Sequence, residues 1–183
     1  GGGARAEAPR GLTARDLVML DRVSEVRLAP DGRSAIYVLR RTDWEANRGR
    51  TALWSIDLET RGAEARPLAA IGDDVSSPRW SADGRWIYFL SGRSGSSQVW
   101  RAPAAGGAPE AVTRLPLDVG AFRLSADGKT LVVALPVYPD CPDLKCTVDR
   151  QAAPKSPTGR GFDRLLVRHW DAWADGTRNH LFA

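Results

Sequence analysis

The segment PRWSADGRWIYFL, residues 78–90, decides the fold because two related segments occur elsewhere in the chain. VRLAPDGRSAIYVL occupies residues 26–39, and FRLSADGKTLVVAL occupies residues 122–135. Each copy contains an Asp-Gly pair that is followed by a β-branched or aromatic run. Glycine accepts the positive φ of a tight turn, and the aspartate side chain can bond the backbone beyond it. Each copy therefore predicts two antiparallel strands joined by a turn.

Further strands follow the first two copies. ALWSIDL (52–58) and QVWRAP (98–103) are predicted third strands, and ARPLAAI (65–71) and PEAVTRLP (109–116) are predicted short fourth strands. The Asp-Gly pairs lie 52 and then 44 residues apart, a spacing typical of four-stranded β-propeller blades. A meander or sandwich that reuses Asp-Gly turns is the alternative, but matching flanks on both sides of all three turns favour the propeller.

The predicted architecture is all-β, an incomplete β-propeller of about three blades preceded by a short helix. Its segments are a disordered tail at 1–11, the helix at 12–23, blade 1 at 24–72, blade 2 at 73–117 and an incomplete blade 3 at 118–183, with an insertion at 136–161 and a helical segment at 162–174. Propellers close with roughly 4 to 8 blades. A chain that ends inside a third strand, here HLFA at 180–183, leaves an unpaired edge and an uncovered apolar face. We therefore expect this chain to be a piece of a larger protein.

The N-terminal residues precede the first blade. GGGARAEAPRG is typical of a mature end left by signal-peptide removal, or of an added tag. Thr13 is a predicted helix N-cap with Asp16 three residues on, and Leu17, Leu20 and Val23 share one helical face. We expect this helix to pack beneath the ring or against another domain.

The insertion of blade 3 and the residues after it carry two more predictions. The prolines and glycines of the insertion argue against any regular element there. The apolar residues that follow recur at steps of three and four, as on an amphipathic helix. These residues are Phe162, Leu165, Leu166, His169, Trp170 and Trp173.

Cys141 and Cys146 are the only cysteines, and two interpretations of them are open. In an oxidising compartment they would close a small loop as a disulfide. In a cytosolic protein they would be two free thiols, too few for a structural zinc site, which needs four ligands. The processed-looking N-terminus favours the disulfide and hence a periplasmic or secreted bacterial protein.

Composition excludes some classes of function. The chain has 183 residues, 43% hydrophobic and 26% charged, with a formal net charge of +4. The basic residues are spread along the sequence rather than gathered in a stripe with interleaved aromatic residues, which argues against nucleic-acid binding. No apolar run approaches the roughly 20 residues of a membrane helix, so no membrane partner is predicted.

No catalytic constellation is present. The nearest string to a serine-nucleophile turn, around Ser94 in SGRSGSSQ, lacks the G-x-S-x-G spacing. The two histidines, His169 and His180, are predicted to be structural, and Asp73-Asp74 is predicted to be a solvated turn. We predict no catalytic residue, metal site or cofactor within this chain.

The opening and closing segments resemble a known family. Residues 12–58 resemble the start of bacterial S9-family serine peptidases, in the acylaminoacyl-peptidase and dipeptidyl-peptidase V branch, through a T-x-x-D-L helix and a first strand that ends in Pro-Asp-Gly. That pattern maps to Thr13, Asp16, Leu17, Val23, Ser24 and Ala29-Pro30-Asp31-Gly32. LLVRHWDAWADGTRNHLF, residues 165–182, resembles the branch's R-H-W-D-x-W-x-D-G stretch. The resemblance covers residues 12–183.

This resemblance implies a propeller, usually of seven blades, that caps an α/β-hydrolase domain with a Ser-Asp-His triad. The hydrolase domain would lie beyond Ala183, so no catalytic residue carries over. The propeller would gate entry and position an oligopeptide substrate, the remainder of the polypeptide would be its partner, and an oligomer is compatible. Asp171 and Asp175 are the candidate substrate-binding residues, which would help anchor a free amine. The alternative is a non-catalytic Tol-type periplasmic propeller that binds proteins, and a third is a sugar- or metal-binding propeller enzyme.

Overall fold

The computed structural model describes residues 10–153, 168–169, 172–173 and 175–183. Helix α1 spans Ala14–Met19. Thr13 and Asp16 form the predicted capping box, in which each side chain accepts a hydrogen bond from the other residue's backbone N–H, at 3.2 and 2.8 Å. The helix is shorter than the predicted 12–23, because the backbone is already extended at Leu20 and a strand begins at Arg22. It buries none of its residues.

Blade 1 is a four-stranded antiparallel sheet in sequential order. Its strands β1 to β4 are Arg22–Leu28, Ser34–Asp43, Arg48–Asp57 and Arg66–Pro67. A short 3-10 helix, Ala69–Ile71, replaces the rest of the predicted fourth strand and leads to the next sheet.

Blade 2 repeats this arrangement. Its strands β5 to β8 are Val75–Trp80, Trp86–Ser91, Gln98–Pro103 and Glu110–Ala111. Both sheets follow the order predicted for a propeller blade, so the four-stranded repeat is confirmed.

Blade 3 is a three-stranded sheet, and a helix and a separate pair of short strands lie between its second and third strands. In chain order its elements are β9 Ala121–Leu124, β10 Leu131–Val137, α2 Leu144–Ala152, β11 Arg168–His169, β12 Ala172–Trp173 and β13 Arg178–Phe182. β10 lies in the middle of the sheet, antiparallel to both β9 and β13. The last strand thus takes the place of a third strand, as predicted.

The prediction for the insertion is wrong, and the helix predicted after it is contradicted at the four residues of that segment that the structure describes. Helix α2 lies inside the segment predicted to lack regular structure, because Asp143 caps it by accepting a hydrogen bond from the Cys146 N–H at 2.8 Å. The flanking prolines, at 142 and 154, lie outside the helix. In the predicted helix at 162–174, β11 and β12 pair as antiparallel strands, with Arg168 opposite Trp173. Backbone pairing across this hairpin overrides the helical spacing, and the other residues from 162 to 174 lie outside the described residues.

The three predicted Asp-Gly turns share one geometry. Gly32, Gly84 and Gly128 have φ of +72°, +70° and +68°. In each turn the aspartate carboxylate accepts a hydrogen bond from the backbone N–H two residues later, at 3.0 to 3.1 Å. The turns are therefore the side-chain-stabilised, positive-φ type that the sequence predicts.

The core lies between the blades. Successive residues of β6 point to opposite faces, so that Ile87 and Phe89 face blade 1 whereas Tyr88 and Leu90 face blade 3. Between blades 1 and 2 the buried residues are Ile36, Val38, Leu53, Ile71, Val75, Ile87, Phe89 and Ala102. Between blades 2 and 3 they are Tyr88, Leu90, Val99, Leu117, Val119, Phe122, Val133, Leu135 and Val137. Each blade buries the apolar face of its neighbour.

Candidate functional site

The first strand of each blade lies at one edge of its sheet, and β1 lies against β5. We call β1, β5 and β9 the inner strip. In a propeller the blades surround a central channel, so side chains of the inner strip are in a position to contact whatever enters that channel. The strip is therefore the first place to look for a binding site.

Two strands of the inner strip carry the same irregularity. The register with the neighbouring strand shifts between Ser24 and Arg27 in β1, and between Ser76 and Arg79 in β5. The residue inside each bulge, Glu25 or Ser77, has a positive φ of +52° or +55°. Positive φ is unfavourable for residues other than glycine and is concentrated at functional positions. The bulges are thus conformations that the surrounding structure must hold in place.

Three arginines occupy equivalent positions on the inner strip. Arg27, Arg79 and Arg123 each precede the Asp-Gly pair by four residues. Each donates a hydrogen bond from Nη1 to the carbonyl of the residue before it, at 2.8, 2.7 and 3.0 Å respectively. The three side chains therefore repeat one backbone contact at one position of the blade, and we call the three residues the arginine ladder.

The charges of the ladder act on one another. Burial lowers the pKa of Arg79, the positive charges of Arg27 and Arg123 lower it further, and Glu25 opposes this shift. Within residues 10–153 and the described residues after them, no arginine of the ladder forms an ion pair. Glu25 is the sole acid on the three strands. The inner strip is therefore electropositive.

Side chains from blade 2 and blade 1 fix the strip where the two blades meet. The Glu25 carboxylate accepts a hydrogen bond from the Ser77 N–H at 2.5 Å. The Trp80 indole N–H donates to the Arg27 carbonyl at 3.3 Å, and its ring packs on the core between these blades. These contacts set the position of Arg27 relative to Arg79.

A groove of about 420 Å³ lies between the Asp-Gly turns of blades 2 and 3. Its lining includes Asp83, Asp127 and Trp86. Hydrogen bonds from the Ser81 hydroxyl and the Arg85 backbone hold the pKa of Asp83 well below its usual range, and bonds from the Ser125 hydroxyl and the Lys129 N–H lower that of Asp127. The Arg101 guanidinium covers the Trp86 ring at 4.2 Å. Because the groove's polar groups already stabilise their own turns, the inner strip is the better candidate site.

A disulfide and an ion pair hold the start of the insertion, residues 138–150, in place. A disulfide joins Cys141 to Cys146, with 5.5 Å between their Cα atoms. Arg150 forms a bidentate pair with Asp140, both contacts at 2.8 Å, and its guanidinium stacks on the Tyr138 ring at 4.6 Å. The disulfide is the pairing that the sequence favoured, whereas Asp140, Arg150 and Tyr138 are side chains that sequence analysis left without a role.

The residues predicted to bind substrate are not brought onto the inner strip by any described contact. Asp171 lies outside the described residues. Asp175 accepts hydrogen bonds from the Thr177 N–H and hydroxyl at 2.9 and 2.7 Å, which is a turn-forming role. An amine-anchoring role for the two aspartates stays a prediction.

Two residues considered for catalysis, Ser94 and His180, lie in different blades. Ser94 is exposed in the loop between β6 and β7, whereas His180 is exposed on β13. The described part of the chain contains no group of three or more His, Cys, Asp or Glu residues that could hold a metal. No described helix is long and apolar enough to cross a membrane.

Solved structures support the fold. An acylaminoacyl peptidase from Pyrococcus horikoshii superimposes with a TM-score of 0.55 at 20% identity, over 69% of this chain and 19% of that one. No protein-family profile matches the chain. At this identity the superposition is informative about architecture alone.

The blades and the related sequences together identify the chain as a homologue of the propeller region of S9-type serine peptidases. Dipeptidyl-peptidase 5 of Porphyromonas gingivalis is 29% identical over 164 residues, which is 90% of this chain and 23% of that protein. The uncharacterized peptidase YuxL of Bacillus subtilis is 30% identical over 125 residues, 68% of this chain and 19% of that protein. The chain thus spans less than a quarter of the length of these two relatives.

Proposed function

We propose that this chain is the propeller portion of a serine exopeptidase that hydrolyses short peptides, of the dipeptidyl- or acylaminoacyl-peptidase type. The observation that carries the proposal is the match to dipeptidyl-peptidase 5 over 90% of the chain. The described residues supply no nucleophile with a base beside it, so the Ser-Asp-His triad is assigned to residues outside this chain.

The role of the propeller in this proposal is access and positioning. A ring of rigid blades admits an extended peptide to its channel and excludes a folded protein, so the enclosed triad acts only on short chains. Holding a substrate in the geometry of attack is itself a large part of catalysis. The inner strip supplies the polar groups for that contact within this chain.

The surface of blade 1 supports a larger polypeptide as partner. Val23, Val26 and Leu28 of β1 are 60%, 51% and 64% exposed. All three lie on the first strand of blade 1, where further blades of the same polypeptide would cover them.

The disulfide supports a periplasmic or secreted location. Such bonds persist in oxidising compartments and are rare in the reducing cytosol. Intact mass of the protein from its native compartment, alkylated with and without prior reduction, tests this. Two extra alkyl groups after reduction are expected, whereas equal masses would refute the disulfide.

The activity is tested on the complete polypeptide that carries this chain. A fluorophosphonate probe should label one serine, and pre-treatment with a small serine-protease inhibitor should abolish the label. Peptides with a free or acylated N-terminus should be cleaved, and a folded protein of the same composition should not. Absence of labelling and of peptide cleavage would refute the peptidase and leave the non-catalytic scaffold.

A further inference from the structure

We propose that Arg27, Arg79 and Arg123 form a carboxylate-binding ladder, which holds an extended acidic peptide along the inner strip. The inference rests on the proposed function, because it names the class of peptide that the propeller would favour. Acidic side chains and a free C-terminal carboxylate present the same chemistry to the ladder, and the test below separates them.

The first argument is geometric. One arginine stands at the same position of each blade, and the side chain of each has one described hydrogen bond, to the carbonyl of the preceding residue on its own strand. A guanidinium has five N–H donors in a planar fork. The ladder therefore keeps donors for a ligand while the backbone contact fixes the direction of the side chain.

The second argument is electrostatic. Three positive groups near one another are unfavourable, and partial burial of Arg79 increases the penalty. The nearest described acid on the strip, Glu25, already accepts a hydrogen bond from Ser77. Arg101 differs from the ladder arginines because its charge is paired, with Glu110 at 2.5 Å. An anionic ligand would supply the counter-charge that the ladder lacks within the described residues.

The third argument concerns the kind of anion. Arginine binds carboxylates through two parallel hydrogen bonds, a geometry that lysine cannot provide. The charges are spread along the strip, one per blade, which suits an extended chain better than a single compact ion. Single-stranded nucleic acid would need exposed aromatic rings on which its bases stack. On the described strip, however, Phe122 is buried and Trp80 packs between the blades.

The experiment measures binding to the complete polypeptide after its reactive serine is blocked, so that hydrolysis does not interfere. Four dye-labelled ligands are compared by fluorescence anisotropy. They are a hexaglutamate peptide capped at both ends, a hexaglutamine peptide with a free C-terminus, the same peptide capped at both ends, and an eight-residue oligothymidylate. We expect the capped hexaglutamate to bind at least tenfold tighter than the capped hexaglutamine, with strong salt dependence. The hexaglutamine with a free C-terminus should bind at an intermediate level.

The variants separate charge from packing. Arg79→Gln should weaken hexaglutamate binding at least fivefold and leave capped hexaglutamine unchanged, and Arg79→Lys should restore only part of the loss. Arg61→Gln, in the exposed loop after β3, removes the same charge away from the strip and should have no effect. An equal loss in Arg61→Gln, or tighter binding of the oligothymidylate than of hexaglutamate, would overturn the ladder.

The outcome remains decisive if the Arg79 variants do not fold. The unmodified protein must still prefer capped hexaglutamate over capped hexaglutamine, and equal affinities would refute the proposal. A failure of the proposed function is distinguishable, because ladder-dependent binding in a protein without labelling or cleavage would refute the peptidase and keep the ladder. Peptide cleavage together with equal binding of acidic and neutral peptides would support the peptidase and refute the ladder.

Discussion

The carboxylate of Glu25 and the backbone N–H of Ser77 lie 2.5 Å apart and join the bulges of two neighbouring blades. Both residues have positive φ, and they occupy equivalent positions 52 residues apart. The acid of one blade thus satisfies a donor in the strained strand of the next. The position of the arginine ladder depends on this contact, because Arg27 and Arg79 follow the two bulges directly.

Glu25→Ala should loosen the joint between blades 1 and 2. Loss of a hydrogen bond to a charged group typically destabilises a protein by about 1.5–3 kcal/mol, and Glu25→Gln should have a smaller effect because it keeps an acceptor. Hydrogen exchange of the amides in residues 75–80 measures the change. Glu59→Ala, which removes an exposed partner of Arg33, is the control and should change stability by less than about 0.5 kcal/mol. Unchanged protection of residues 75–80 in Glu25→Ala would contradict this role.

Gly84→Ala and Gly128→Ala should each destabilise the protein by about 1 kcal/mol, because an L-residue is unfavourable in the left-handed region. The added methyl group would meet no clash, since its nearest neighbour at Gly84 is a Pro30 carbon at 3.6 Å and Gly128 has open space. Gly92→Ala is the matched control, with open space and no positive φ. Gly92→Ala should have a higher melting temperature than the two turn variants. Equal melting temperatures would show that positive φ at Gly84 and Gly128 carries no cost for alanine.

The Asp83 turn should weaken in acid. Its folded pKa is lowered, chiefly by the Ser81 hydroxyl, so the carboxylate stabilises the fold above its unfolded pKa of about 3.9. This contribution is lost as the pH falls from about 4 through the lower folded pKa. Ser81→Ala should raise the pKa of Asp83, as measured by carboxyl-carbon NMR titration. Ser125→Ala should affect Asp127 instead, and an effect of either variant on the wrong aspartate would contradict the local cause.

The double variant Cys141→Ser with Cys146→Ser should increase the mobility of residues 138–150 at the start of the insertion. In the loop-closure description a disulfide around so short a loop contributes about 2 kcal/mol. Hydrogen exchange should rise in residues 138–150 and stay unchanged in blade 1. Arg150→Gln, which breaks the pair with Asp140 but keeps the disulfide, should give a smaller rise. An equal rise in blade 1 would mean that the disulfide supports the whole fold.

The blades could be predicted from sequence because turn chemistry and strand periodicity are local signals that three copies repeat. The insertion could not, because its prolines suggested irregular structure although none lies between residues 144 and 152. The cap formed by Asp143 was a helix signal that the prolines obscured. At Arg168 and Trp173 the helical spacing of aromatic residues was overridden by pairing between short strands.

The arginine ladder was overlooked for a different reason. Its members lie 44 and 52 residues apart, so the basic residues look evenly dispersed along the chain. In a repeating fold, equivalent positions of successive repeats lie side by side. Residues that are far apart in sequence can therefore be neighbours in the structure. The signal was present in the alignment itself, as an arginine four residues before each Asp-Gly pair.

The pairing of β10 with β13 sets Val137 directly opposite Arg178. The chain thus leaves the third sheet and rejoins it at adjacent points on two hydrogen-bonded strands. Changes of length between these two residues need not disturb the pairing, so this position is suited to natural variation among related proteins. It is also the place where a fluorescent reporter or affinity handle could be spliced into the protein with the blades left intact.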